Sequence, residues 1–293
     1  MYWLSKKRTK IIMLFPAVTL FTLYVVIPIF IMIYYSFYNY SGIGIPEFIG
    51  FQNYQFLLRD KTFFCSLKNT IIILVMILVL ILPCSFGLAL MLNQKFKGGG
   101  IIKAMNFSPF VIAPILVGLV WYFILDPKIG LLNNLLGILG MEGLQKQWIG
   151  GKTLTPYSVA FVYLWQVLGY YATIFLAGIK GISSDFYEAA EIDGAGFWKK
   201  TVYITIPLLK ETFVIAVVLI ITGGFKIFET VQQLTGGGPN HLSDVLVTYM
   251  YHTTFTISRY GYGMAIASVS AIFSFVCAAV YLLISRKSVK GEM

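Results

Sequence analysis

Five stretches of this chain run without a charged residue for about the length needed to cross a bilayer. They are Ile11–Tyr35, Thr70–Leu92, Ala104–Leu125, Tyr157–Ile179 and Gly263–Ile284. A sixth and weaker run, Thr212–Phe225, is flanked by Lys210 and Glu211 on one side and by Lys226 and Glu229 on the other. It is short for a span, yet Ile204–Leu234 read as one helix crosses easily, with its charges near the ends or in a polar cavity. Composition agrees: 58% of residues are hydrophobic and 12% charged, where a soluble chain carries about a quarter charged. The predicted fold is therefore an all-α polytopic membrane domain over residues 1–293. Its six transmembrane helices lie at about 11–35, 70–92, 104–125, 157–179, 204–234 and 263–284.

The first run follows Lys6, Lys7, Arg8 and Lys10. A secretory signal has a shorter apolar core of about 7–15 residues and a small-residue cleavage site. Neither is present, so this run is expected to stay as the first span. Lys and Arg placement sets the orientation. With the N-terminus inside, the inner segments hold 14 of the 22 basic residues: the first four, then Lys95, Lys97 and Lys103, then Lys180, Lys199, Lys200 and Lys210, then Arg286, Lys287 and Lys290. The remaining eight (Arg59, Lys61, Lys68, Lys128, Lys146, Lys152, Lys226 and Arg259) fall outside. Both termini are thus expected in the cytoplasm, and the net charge of +10 reflects topology rather than a nucleic-acid partner. Cys65, Cys84 and Cys277 are odd in number and lack metal-type spacing, and His241 and His252 are too few for a histidine metal cluster.

Between the fourth and fifth runs lies a polar island, Tyr187-Glu188-Ala189-Ala190-Glu191-Ile192-Asp193-Gly194-Ala195-Gly196, continuing through Phe197-Trp198-Lys199-Lys200 to Ile204 and Pro207. Asp185 with Glu188 three residues on reads as a helix start, Gly194 and Gly196 as its stop, and Pro207 as the opening of another helix. Small residues sit beside Phe186, Tyr187, Ile192, Phe197 and Trp198. Such a mixture on a surface helix favours docking against a partner over a plain connector.

These residues carry a resemblance. Glu188-Ala189-Ala190, then Gly194, then Ile204 and Pro207, resemble the EAA loop of ABC importer permeases, with Ile206 in place of the commonest Leu before the proline. Phe51-Gln52-Asn53-Tyr54, Pro109 with Pro114, Leu234-Thr235-Gly236-Gly237-Gly238-Pro239, Tyr249-Met250-Tyr251 with Phe255, and Gly261-Tyr262-Gly263-Met264-Ala265 are similar to the sugar-permease branch typified by the maltose and glycerol-phosphate transporters. The resemblance implies a carbohydrate permease in a bacterial cell membrane that forms half of a pore with a second permease. Residues 184–207 would be its coupling loop, in which Glu188, Ala189, Ala190, Asp193, Gly194, Ile204 and Pro207 meet a cytoplasmic ATPase. ATP and Mg would lie on that partner, with no cofactor on this chain, and an extracellular or periplasmic solute-binding protein would deliver the sugar. No catalytic or metal site is expected here.

The pathway for substrate is read from polar exceptions in the spans. Gly223 and Gly224 interrupt the weak fifth run before Lys226 and Glu229, which are spaced to pair with each other. In the fourth span Trp165, Gln166 and Tyr170 stand out, and Gln166 and Tyr170, four apart, share a helix face. Aromatic faces and amides suit a sugar ring, although Trp165 and Tyr170 equally suit helix packing or an interfacial belt. An ion-gradient-driven transporter competes with this reading, but five of the spans lack any charge. A membrane scaffold would leave the polar island unexplained.

Overall fold

The computed structural model describes residues 7–94, 97–151, 153–239 and 241–290. Lys6, Lys95 and Lys152, and the side chains of Arg286, Lys287 and Lys290, which enter the charge argument, lie outside the described set. In chain order the elements are α1 (Lys7–Tyr35), β1 (Tyr38–Asn39), β2 (Glu47–Phe48), α2 (Gln52–Leu57), α3 (Lys61–Asn93), α4 (Gly99–Val111), α5 (Pro114–Leu125) and α6 (Leu131–Ile138). They continue with α7 (Thr155–Gly181), α8 (Ser184–Ile192), α9 (Phe197–Leu208), α10 (Lys210–Gly224), α11 (Glu229–Leu234), α12 (Leu246–Tyr251) and α13 (Tyr260–Lys290). Among the described residues the regular elements are helices apart from β1 and β2, one short antiparallel pair.

Four helices are long and apolar enough to cross a membrane: α1, α3, α7 and Tyr260–Ser285 of α13. Two more spans are reached if bent pairs count as one each, α4 with α5 at 94° and α9 with α10 at 68°. The first bend follows from Pro114, which forces the preceding residue out of the helical region; Ala113 and Ile112 have ψ of 130° and 133°. The structure does not form the single helix expected over Ile204–Leu234. It breaks at Leu209 (φ −90°, ψ 8°) and again after Gly224. Pro207 removes one amide from the ladder before the first break, and Gly223-Gly224 weakens it before the second.

The chain divides into two compact units. One comprises residues up to Phe63 together with Met250–Ala271. Gly42 and Gly50, with φ of 88° and 58°, turn the chain around β1 and β2. Asp60 ties this unit together: one carboxylate oxygen accepts the Thr62 amide at 2.8 Å, and the other accepts the Tyr262 hydroxyl at 2.5 Å.

The other unit comprises Phe64–Tyr249 and the chain from Ile272. Its core is set by close helix crossings at small residues, the usual device where lipid offers no hydrophobic advantage to packing. A Cβ on Gly169 of α7 would run into the Asn106 carbonyl of α4, and one on Gly178 would lie 2.7 Å from Leu209. Gly224 likewise lets α10 close on Leu74 and Ile77 of α3. Phe86, Phe175 and Phe213 fill the centre with ring centroids 4.7–5.7 Å apart, in edge and tilted geometries that rings favour.

Candidate functional site

Residues 184–207 form a braced hairpin of helices rather than a slack connector. The cap of α8 is Ser183, whose hydroxyl accepts the Asp185 amide, so the start lies two residues before the Asp185 expected from sequence. Asp185 instead sits in the first turn, where its charge complements the helix dipole. At the other end Gly194 has φ +72°, and the Ala195 and Gly194 amides donate to the carbonyls of Ala190 and Glu191 at 2.8 and 3.0 Å. This is the Schellman closure that only a residue free to adopt positive φ completes cheaply. Lys200 then reaches back to Glu191 at 2.6 Å, and Tyr187 and Thr205 share a hydroxyl bond of 3.0 Å.

The bracing holds an apolar surface open. Ile192 is 88% exposed, Tyr203 77% and Trp198 75%, with Phe186, Phe197 and Ile206 also exposed. Glu188, Ala189 and Asp193 lie on the exposed side, while Ala190 and Ile204 are half-buried and Pro207 is exposed. Large apolar side chains are thus left open on a loop that also carries charges.

The span residues singled out by sequence meet in part. A cavity of about 340 Å³ is lined by Gln166, Gly223, Lys226 and Glu229 together with Phe110, Pro114 and Tyr163. A neighbouring one of about 260 Å³ shares Phe110, Tyr163, Gly223 and Lys226 and adds Tyr170. Tyr170 stacks on Phe110 at 4.4 Å and 15°, making a flat aromatic wall. Gln166 is buried, and its amide donates to the Ile112 carbonyl at 3.2 Å. That carbonyl is freed by the α4–α5 bend, and backbone groups at such depth need an internal partner. Gln166 is therefore a fixed wall of the cavity, its amide nitrogen committed to that carbonyl.

Two residues fall elsewhere. Trp165 lies edge-on to Trp121 at 5.5 Å and lines neither cavity, and Gly224 is a packing glycine against α3. No ion pair joins Lys226 to Glu229 among the described residues, and both residues line the same cavity. Tyr163 and Phe110 were not singled out. Tyr163 continues the Gln166–Tyr170 stripe one turn earlier, a spacing that would have found it; Phe110 carries no such signal, because its direction depends on the α4–α5 bend.

Residues 81–290 match the family described as binding-protein-dependent transport system inner membrane component. The chain is 37% identical to a probable ABC transporter permease, YurN, of Bacillus subtilis, over 92% of this chain and 93% of that one. It is 29% identical to the diacetylchitobiose uptake system permease NgcF of Streptomyces coelicolor, over 93% and 81%. Its fold matches a chain of a bacterial alginate ABC transporter, solved with an alginate pentasaccharide-bound periplasmic protein, with a TM-score of 0.83, 23% identity and coverage of 95% and 94%.

Proposed function

Since the chain belongs to the family of binding-protein-dependent transport system inner membrane components, a transport rather than an enzyme family, we propose that it is the permease subunit of an ATP-driven carbohydrate importer. It contributes half of a pore of which a second permease forms the rest. The bent pairs α4–α5 and α9–α10 each count as one span, giving six, with both termini and residues 184–207 in the cytoplasm. There the exposed face around Ile192 and Trp198 docks on an ATPase subunit that carries the ATP and Mg. An external solute-binding protein supplies the sugar.

The observation that carries this reading is the open apolar face of the α8–α9 hairpin, stiffened by the Gly194 closure and the Glu191–Lys200 pair. A stiff element transmits movement of an ATPase to α10, which lines the cavity with Gly223. The carbohydrate assignment rests on relatives such as the diacetylchitobiose permease and on a cavity that pairs an aromatic wall with amide and charged groups.

Glu188→Lys and Gly194→Asp variants test it. Each is expected to reach the membrane in normal amount, to lose co-purification with the ATPase, and to abolish uptake. Retention of substrate-stimulated ATPase and uptake in both would remove the coupling assignment.

A further inference from the structure

A larger cavity, of about 710 Å³, opens among the connections that follow α5 and α11. Its lining differs from that of the span cavities. Gln145, Gln147, Gln233 and Asn133 present side-chain amides, Tyr122 an aromatic ring, and Lys128 and Lys146 two cations. Its wall is preformed. Asn133 is buried and donates to the carbonyls of Pro127 and Lys146 at 3.1 and 3.0 Å, while its oxygen accepts the Trp148 indole at 2.8 Å. Asp126 is occupied by the amides of Lys128 and Ile129 at 2.8 and 2.9 Å. These bonds hold its carboxyl below the usual range, the Ile129 amide first and the Lys128 amide second.

The amides of Gln147 and Gln233, by contrast, make no side-chain hydrogen bond among the described residues. Gln233 is nonetheless fixed in place, because α5 approaches α11 so closely at Gly118 that a Cβ there would lie 2.6 Å from that of Gln233.

The two cavities are the two ends of one helix pair. Glu229 and Thr230, at the start of α11, line the 340 Å³ cavity, and Gln233 and Leu234, at its end, line the 710 Å³ one. Glu229 and Gln233 are four apart and therefore share a face. On α5, Pro114 lines the first cavity and Tyr122 the second. A single α5–α11 seam thus runs from one cavity to the other.

We propose that the larger cavity is a second saccharide site, an entry station at which Gln147 and Gln233 hold the hydroxyls of an oligosaccharide before it moves along α11 to the Gln166–Lys226–Glu229 cavity. A free amide offers a donor and an acceptor on adjacent atoms, matching vicinal hydroxyls that do both. The volume falls in the range of small-ligand sites, about 300–1,000 Å³. The site rests on the carbohydrate-importer reading, and it adds a location and two residues to it.

The test uses the assembled transporter with its ATPase and binding protein in proteoliposomes. A pool of di- to pentasaccharides from partially hydrolysed starch, chitin and arabinan serves as the probe, with uptake read by mass spectrometry beside ATP hydrolysis. The Gln147→Ala/Gln233→Ala double variant is expected to keep a wild-type rate of stimulated ATP hydrolysis. Sugar delivered per ATP should fall about fivefold or more, as two hydrogen bonds to the sugar are lost. A packing defect would lower both together. The Gln147→Asn/Gln233→Asn pair, which retains the amides, should recover part of the ratio. An unchanged ratio in the double alanine variant overturns the entry station and leaves the importer reading standing. A wild-type complex that hydrolyses ATP but takes up no saccharide overturns the importer reading, and the station with it.

Discussion

Helices α1 and α7 are similar in length and both long enough to span a membrane, but the protein treats them in opposite ways. None of the most apolar stretch of α1 is buried by the chain, whereas 56% of that of α7 is. Over their apolar stretches the better buried helix is the more polar one: α7 carries Gln166, Tyr163, Tyr170 and several small residues, and α1 beyond Lys10 is mostly aliphatic and aromatic. In water the opposite would hold. In a bilayer, lipid satisfies an apolar face as well as protein does, so helices bind one another through close approach and hydrogen bonds rather than through hydrophobicity. Polar and small residues then mark the helix that works inside the fold, and uniform hydrophobicity marks the helix left to the solvent of tails or to another chain.

The comparison breaks most visibly at Gly169. Its hydrogen faces the Asn106 carbonyl across the α4–α7 crossing, where a Cβ has no room and the obstacle is backbone. Gly169→Leu is expected to prevent the crossing altogether, destabilising by more than about 4 kcal/mol, the range kept for overpacked cores. Recovery of monodisperse protein in detergent, with its melting temperature by intrinsic fluorescence, measures this. A variant that melts like the wild type would show that α7 is not held by close approach.

A smaller loss is expected from Gln166→Leu, which keeps the volume and removes the donor to Ile112. The orphaned carbonyl at the α4–α5 bend should cost about 1–3 kcal/mol, seen as a melting temperature lower by several degrees in otherwise folded protein. If stability were unchanged while uptake fell, Gln166 would be a ligand only, and the polar content of α7 would serve substrate rather than packing.

The same contrast explains what could be read in the sequence. The α8–α9 hairpin was legible because its signals are local: a glycine closes α8, and the aromatics beside its alanines are left exposed. Runs without charge gave the positions of α1, α3, α7 and α13 for the same reason. The cap at Ser183 was displaced to Asp185, since both types cap helices and spacing alone cannot rank them. The fifth run was different. Gly223-Gly224 signalled an interruption, yet the run was also expected as one helix through Leu234, and the structure resolves this in favour of the breaks at Leu209 and after Gly224. Gln166 was visible as a polar exception on α7, but its partner, Ile112, is 54 residues away and becomes available only because Pro114 bends a different helix. Trp165 shows the converse: a residue one step along from Gln166 that looks equally suited to sugar points to Trp121 instead.

The smallest effect is expected on α1, and it carries information because it is small. Phe30 is 66% exposed, and in a bilayer Phe30→Ala exchanges ring–lipid contacts for lipid–lipid ones, so the isolated chain should change by no more than about 0.5 kcal/mol. Measured again in a complex with the proposed second permease and ATPase, the same substitution separates two reasons for an unburied helix. A shift that stays near zero means lipid covers this face of α1 in the working transporter. A fall of several degrees that appears only in the complex means another chain packs there, and the uniform hydrophobicity of α1 would then record a protein interface rather than exposure to lipid.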